Sequence, residues 1–163
     1  MVSTLWAPWR MQYILGPKTN GCILCEKARE PDEDDTKNLI LARGPFTYVL
    51  MNIYPYNSGH LMIAPYRHLE SLEKLSSEER AEMMTWASDS ERILRAAFQA
   101  MGFNIGVNVG RVAGAGIDDH VHMHVVPRWN GDTNFMPVLG ETKVIPEHLE
   151  ETYARLAPFY RTG

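Results

Sequence analysis

Hydrophobic and polar positions follow two periods along this chain. Between Leu39 and Pro65 they read as strands. "LILA" and "FTYVLMN" are rich in β-formers and are separated by Arg43, Gly44 and Pro45. "NIYPYNSG" is turn material, and "HLMIAP" follows as another short strand. Tyr54 and Tyr56 flank Pro55 in that turn and could wall a pocket, although packing is the simpler use of each. From Ser77 the period lengthens to that of a helix reaching Met101. Met83, Ala87, Ser90, Leu94, Ala97 and Met101 recur at spacings of three or four and predict one buried stripe. Ser76 is placed as its N-cap, with Glu79 completing a capping box, and Gly102 is placed to end it. "FNIGVNVG" then alternates, with Phe103, Ile105, Val107 and Val109 on one face and Asn104, Gly106 and Asn108 on the other. The glycine-rich loop "GRVAGAG" leads to a further strand, "HVHMHVVP". Roughly ten residues join these two strands, which predicts an antiparallel pair because a parallel crossover needs more chain. Pro146 can open a last helix, whose body "EHLEETYARLAPFY" sets Leu149, Tyr153 and Leu156 on one face. The acidic stretch "EPDEDD", Glu30 to Asp35, reads as a solvated loop.

A length of 163 residues suits one domain with a full core. The net charge of −4 argues against a broad cationic surface for nucleic acid, while a small phosphorylated ligand needs only local groups. Pro8 and Arg10 interrupt the apolar N-terminus "MVSTLWAPWRMQYILG", so it lacks the h-region of a signal peptide. No run approaches the ~20 apolar residues of a membrane span. These features predict a cytoplasmic protein. The only cysteines, Cys22 and Cys25, form "CILC". In a reducing compartment a CxxC pair suggests zinc or redox chemistry, and the strand-to-helix unit of a thioredoxin-like site is missing from the pattern. Two cysteines leave a structural zinc site two ligands short, and histidine is the usual partner.

The stretch "DDHVHMHVVPRW" holds His120, His122 and His124, half of the six histidines. On a strand they share one face, and Val121, Met123 and Val125 take the other. Neighbouring α-carbons lie about 6.6 Å apart and the row spans about 13 Å, which suits separate tasks along a ligand better than one shared ion. Neutral imidazole can attack phosphorus, and a protonated neighbour can give its proton to a leaving oxygen. The preceding glycine loop offers backbone N–H groups to non-bridging oxygens. A metallohydrolase using the row as direct ligands is a second reading. It is weakened by the lack of Asp or Glu within "HVHMHVV", although Asp118 and Asp119 lie just upstream. A nucleotide-binding module without turnover is a third.

"HVHMHVV" resembles the signature of the histidine-triad family, His-φ-His-φ-His-φ-φ with φ apolar. "VLMNIYPYNSGHLMIAPYRH" is similar to that family's Asn…Pro…Gly-His strand pair. "LWAPWR" and "PRWNGDTNFMPV" resemble a bacterial branch that includes diadenosine tetraphosphate phosphorylases. The resemblance implies a single α+β domain over 1–163, with an N-terminal extension carrying CxxC at 1–38. It implies an antiparallel sheet of about five strands, one long helix and a C-terminal helix, usually in a homodimer. It also implies hydrolysis or transfer at the α-phosphate of adenine nucleotide derivatives such as dinucleoside polyphosphates, with phosphorolysis as an alternative to hydrolysis. By position, His122 is the nucleophile that becomes nucleotidylated, and the main-chain carbonyl of His120 accepts a hydrogen bond from its other ring nitrogen. His124 serves the scissile bridging oxygen. Asn52 matches a ribose contact and His60 a supporting histidine. Asn108 and the loop Gly114, Ala115, Gly116 match groups near the phosphates, and Trp129 a position near the substrate. Many relatives carry Gln, Ser or Thr where this chain has Gly116, so only backbone contact is expected there. The resemblance pairs Cys22 and Cys25 with His68 and His120 as a structural zinc site, and the chemistry implied needs no catalytic metal.

Overall fold

The computed structural model describes residues 21–132 and 147–161. In chain order the elements are α1 (Ile23–Arg29), a helical turn α2 (Asp35–Asn38), β1 (Ile40–Arg43), β2 (Thr47–Met51), β3 (Leu61–Pro65), the long helix α3 (Ser77–Phe98), β4 (Gly102–Val107), β5 (Met123–Arg128) and α4 (Leu149–Arg161). The five strands form one sheet in the order β1-β2-β3-β5-β4, antiparallel at every pairing. The fold is α+β, as the resemblance implied.

β2 and β3 are buried along their whole length because both faces of the sheet are covered. Successive residues point to opposite faces. Val49, Met51, Leu61 and Ile63 meet Met83, Ala87 and Leu94 of α3 and Leu156 of α4. Tyr48, Leu50, Met62 and Ala64 go the other way and pack with Leu24 of α1. Burying Leu24 contributes roughly 2 kcal/mol. The chain therefore uses the CxxC helix as the cover of the second face, and that is what brings α1 to the site described below.

The capping box forms as the pattern predicts: Glu79 N–H donates to Ser76 Oγ (3.2 Å), and Ser76 N–H donates to Glu79 Oε2 (2.7 Å). Glu79 also receives the Arg67 guanidinium at 2.7 and 2.6 Å, which holds its carboxyl below the usual carboxylate value.

Four expectations change. The long helix stops at Phe98, not Met101. Gln99 takes the left-handed conformation (φ 53°) and donates to Arg95 O, while Met101 N–H already bonds to Arg128 O across the sheet. Gly102 thus opens β4 instead of capping the helix, and Met101 is exposed. The second departure is at β4, where Phe103 and Val107 pack on the core but Ile105 is exposed, as is Val109 just past the end of the strand. β4 is an edge strand, and no described neighbour pairs with its outer side. Third, "EPDEDD" is not a plain solvated loop. Asp32–Asp34 make a 3₁₀ turn, and Asp35 opens α2 with Arg43 bonded to its carboxylate at 2.7 Å. Fourth, β5 begins at Met123, so His120 and His122 precede the strand. Pro146, "LWAPWR" and "TNFMPV" lie outside the described residues. Leu149, Tyr153 and Leu156 share the core-facing side of α4 as expected.

Candidate active site

His122 and His124 enter one cleft from the start of β5. The preceding loop turns through Gly110 (φ 81°) and Gly114 (φ 86°), conformations that L side chains rarely adopt. Gly114 and Gly116 line the cleft beside the histidines. The cleft encloses about 750 Å³ when the open solvent at its mouth is included. Away from the histidines its wall is apolar, made by Ile23 and Leu24 of α1, Leu50, Met62 and Ile117. Lys27 sits on that wall; its half-buried amine donates to Asn38 O (2.7 Å), and burial lowers its pKa.

The hydrogen bonds sort the imidazoles by tautomer. His122 is buried and its Nδ1–H donates to the His120 carbonyl (2.8 Å). Its Nε2 then carries the lone pair. Burial pushes the His122 pKa down, partly offset by that hydrogen bond, so the neutral form prevails. His124 has the opposite arrangement. Tyr56 N–H donates to His60 Nδ1 (3.1 Å), which puts the proton of a neutral His60 on Nε2. His60 Nε2 stands 3.0 Å from His124 Nδ1 and donates to it. Neutral His124 then keeps its own proton on Nε2. The cleft is thus served by a neutral acceptor and a donor side by side, their rings 4.8 Å apart between centroids.

His120 turns away from the cleft. Its Nδ1 lies 3.2 Å from Cys22 Sγ and 3.4 Å from Cys25 Sγ, and Cys25 Sγ lies 3.3 Å from His68 Nδ1. All four donor atoms fall within 4.8 Å of one another. Tetrahedral zinc with its usual bond lengths needs S···N edges of about 3.5 Å, so the set fits. His120 Nε2–H donates to Pro65 O (2.9 Å), leaving Nδ1 as the lone pair aimed at the sulfurs. His68 Nε2 is backed by Asp119 at 3.6 Å. Oxygen partners of this kind orient metal-binding histidines.

The remaining expected residues are divided. Asn52 lines the cleft, and its Oδ1 accepts from Tyr54 N–H (2.9 Å) in a local turn. His60 reaches it through His124. Ala115, Asn108 and Trp129 are not among the described lining residues; Trp129 donates from Nε1 to Phe98 O (3.0 Å) and packs on the core. Sequence reasoning missed Ile23, Leu24 and Lys27, because their distance in sequence from the histidines gave no signal. It also missed Asn57, whose buried amide ties the β2–β3 loop to the end of β5.

A HIT domain model matches residues 34–131. AP-4-A phosphorylase of Mycobacterium tuberculosis is 40% identical over 159 residues, covering 94% of this chain and 82% of that protein. The asymmetrical bis(5'-nucleosyl)-tetraphosphatase of Schizosaccharomyces pombe is 27% identical over 124 residues, 76% of this chain and 64% of that protein. A zinc-bound histidine triad family protein from Mycobacterium smegmatis shares the fold, with TM-score 0.68 and 24% identity over 87% of this chain and 94% of that one. Sequence match, fold and histidine geometry agree, and the chain belongs to the HIT-domain family.

Proposed function

We propose that this protein is a nucleotidyl-transferring enzyme that cleaves dinucleoside polyphosphates at the α-phosphate. The observation that carries the reading is the pairing of opposite tautomers in one cleft: a buried His122 held through Nδ1, beside a His124 held as a donor. His122 Nε2 attacks the α-phosphorus, and the bond from that phosphorus to the bridging oxygen breaks. His124 Nε2–H donates a hydrogen bond to the departing oxygen and stabilises the negative charge that forms on it. An acceptor then attacks the nucleotidyl-His122, gives its proton to solvent, and the bond from phosphorus to His122 Nε2 breaks and frees the imidazole. Water as acceptor yields the nucleoside monophosphate, and phosphate yields the diphosphate. Similarity to a protein named AP-4-A phosphorylase over most of both chains favours phosphate.

The apolar wall from Ile23 to Ile117 takes the base, Asn52 the ribose, and the backbone of Gly114 and Gly116 the non-bridging oxygens. Asn108 and Ala115 serve the phosphates and Trp129 a position near the substrate, on the family resemblance alone. Cys22, Cys25, His68 and His120 would hold a structural zinc with no open position, fastening α1 to the catalytic segment. The chain acts as one domain, with the CxxC segment as its N-terminal extension, in the cytoplasm. Among the described residues no helix is long and apolar enough to cross a membrane. The edge strand β4, with Ile105 exposed, supports a homodimer built on it.

The test is a product-resolved assay of diadenosine polyphosphates, AMP-amides and nucleoside diphosphates, with and without phosphate. ADP formed only with phosphate establishes phosphorolysis; AMP without it establishes hydrolysis. Binding of AMP with turnover of nothing in the panel would leave a binding module instead.

A further inference from the structure

On the reading above, His124 must present its Nε2–H to the leaving oxygen at a defined place. His124 does not set that place alone, because its Nδ1 is held by His60, and His60 rides on the loop between β2 and β3. The loop runs close beneath α3: Gly59 has φ +77°, and a Cβ there would stand 2.9 Å from Leu94 Cδ2. Asn52 N–H donates to His60 O (3.0 Å), and His60 N–H donates to Asn57 O (3.1 Å). The Asn57 side chain then crosses to the other strand. Its amide donates to Pro127 O (3.0 Å) and to Asp132 Oδ2 (2.9 Å). Pro127 lies on β5, three residues beyond His124. Asp132 is itself fixed by Arg128 Nε and Nη2, at 2.6 and 2.8 Å, and by Trp129 N–H at 3.2 Å. One buried amide therefore joins the loop that carries His60 to the strand that carries His124.

We propose that Asn57, oriented by Asp132, is a positioning residue that sets the His60–His124 hydrogen bond and so the aim of the His124 Nε2–H at the leaving oxygen. The proposal rests on His124 serving that oxygen. Hydrogen bonds weaken steeply when bent, and a displacement of about 1 Å can cost about 100-fold in rate. Without the Asn57 bridge the loop can slide along β5. The two rings then separate while His122 keeps its own bond to the His120 carbonyl.

A residue that only stabilises the fold would slow all substrates alike. A residue that aims this donor matters most where the leaving oxygen is most basic. We would compare the phenyl and p-nitrophenyl esters of AMP in the wild type, Asn57→Ala and Asp132→Asn. In Asn57→Ala, kcat for the phenyl ester should fall about 30-fold, and for the p-nitrophenyl ester less than about threefold, with KM within about twofold. Asp132→Asn keeps the side-chain shape and an acceptor for Asn57, so it should show the same selectivity at smaller size. Equal losses on the two esters, or no loss on either, would overturn the proposal. A second readout does not depend on turnover. Imidazole ¹⁵N spectra of the wild type should show His60 protonated at Nε2 only, and in Asn57→Ala this pattern should give way to a tautomer mixture. An unchanged pattern also overturns the proposal. A wild type that cleaves neither ester, with spectra that respond to Asn57→Ala, defeats the functional reading and leaves the brace standing.

Discussion

His120 and His124 are the same side chain four residues apart, and their surroundings put them to opposite uses. Around His120, Pro65 O takes the Nε2 proton and leaves the Nδ1 lone pair facing two sulfurs. Around His124, His60 donates to Nδ1 and leaves the proton on Nε2, at the cleft. The first environment is closed and suits a cation; the second opens on a ligand. An imidazole is an acceptor or a donor according to what holds its other nitrogen. Between them His122 uses a third arrangement, with its lone pair toward the cleft.

The comparison can be broken at each position. His122→Asn removes the nucleophile and should lower turnover at least about 1,000-fold, with no nucleotidyl-protein trapped from labelled substrate; activity near wild type would end the proposed chemistry. His124→Ala should cost about 100-fold in kcat while the zinc content and melting temperature stay those of the wild type. Cys25→Ser should do the reverse. Zinc per chain, measured by atomic emission, should drop below about half an equivalent, and the melting temperature should fall by about 5 °C or more, with kcat reduced less than in His124→Ala. If zinc is absent from the purified wild type and chelation leaves its stability unchanged, the closed end of the row is only a thiol–imidazole cluster.

Smaller effects sharpen the contrast. The Arg128 guanidinium holds the Asp132 carboxyl well below the usual carboxylate range. A folded pKa depressed in this way stabilises above the unfolded value of about 4, and the gain is lost as pH falls below it. Asp132→Asn should therefore cost about 1 kcal/mol near neutrality, a figure that allows for the partial exposure of Arg128. In urea titrations that difference should shrink below about pH 4. Ser76→Ala removes a helix cap far from both ends of the row. It should cost about 1 kcal/mol and leave zinc content and leaving-group dependence untouched.

Much of this was legible in order along the chain. The strands of 39–65, the capping box at Ser76 and Glu79, and the phase of the three histidines are all short-range patterns. The end of α3 was not legible, because Gln99 adopts a left-handed conformation that glycine usually takes, and Met101 is claimed by the sheet. Nor was the fate of Ile105 and Val109, whose alternation matches a core face but whose strand lies at an edge.

Local sequence determined which residues could form strands, where the long helix begins, and that three imidazoles would follow a glycine loop at two-residue spacing. These depend on backbone sterics and side-chain periodicity within a few residues. Only the tertiary structure decided that α1 would wall the cleft and that Cys22 would stand 3.2 Å from a histidine 98 residues away. It also decided that Asn57 would reach Asp132. Those contacts exist because the second face of the sheet had to be covered and the β2–β3 loop had to meet the end of β5. The protonation pattern of the histidines follows from them, since a ring takes its tautomer from partners that come together only on folding.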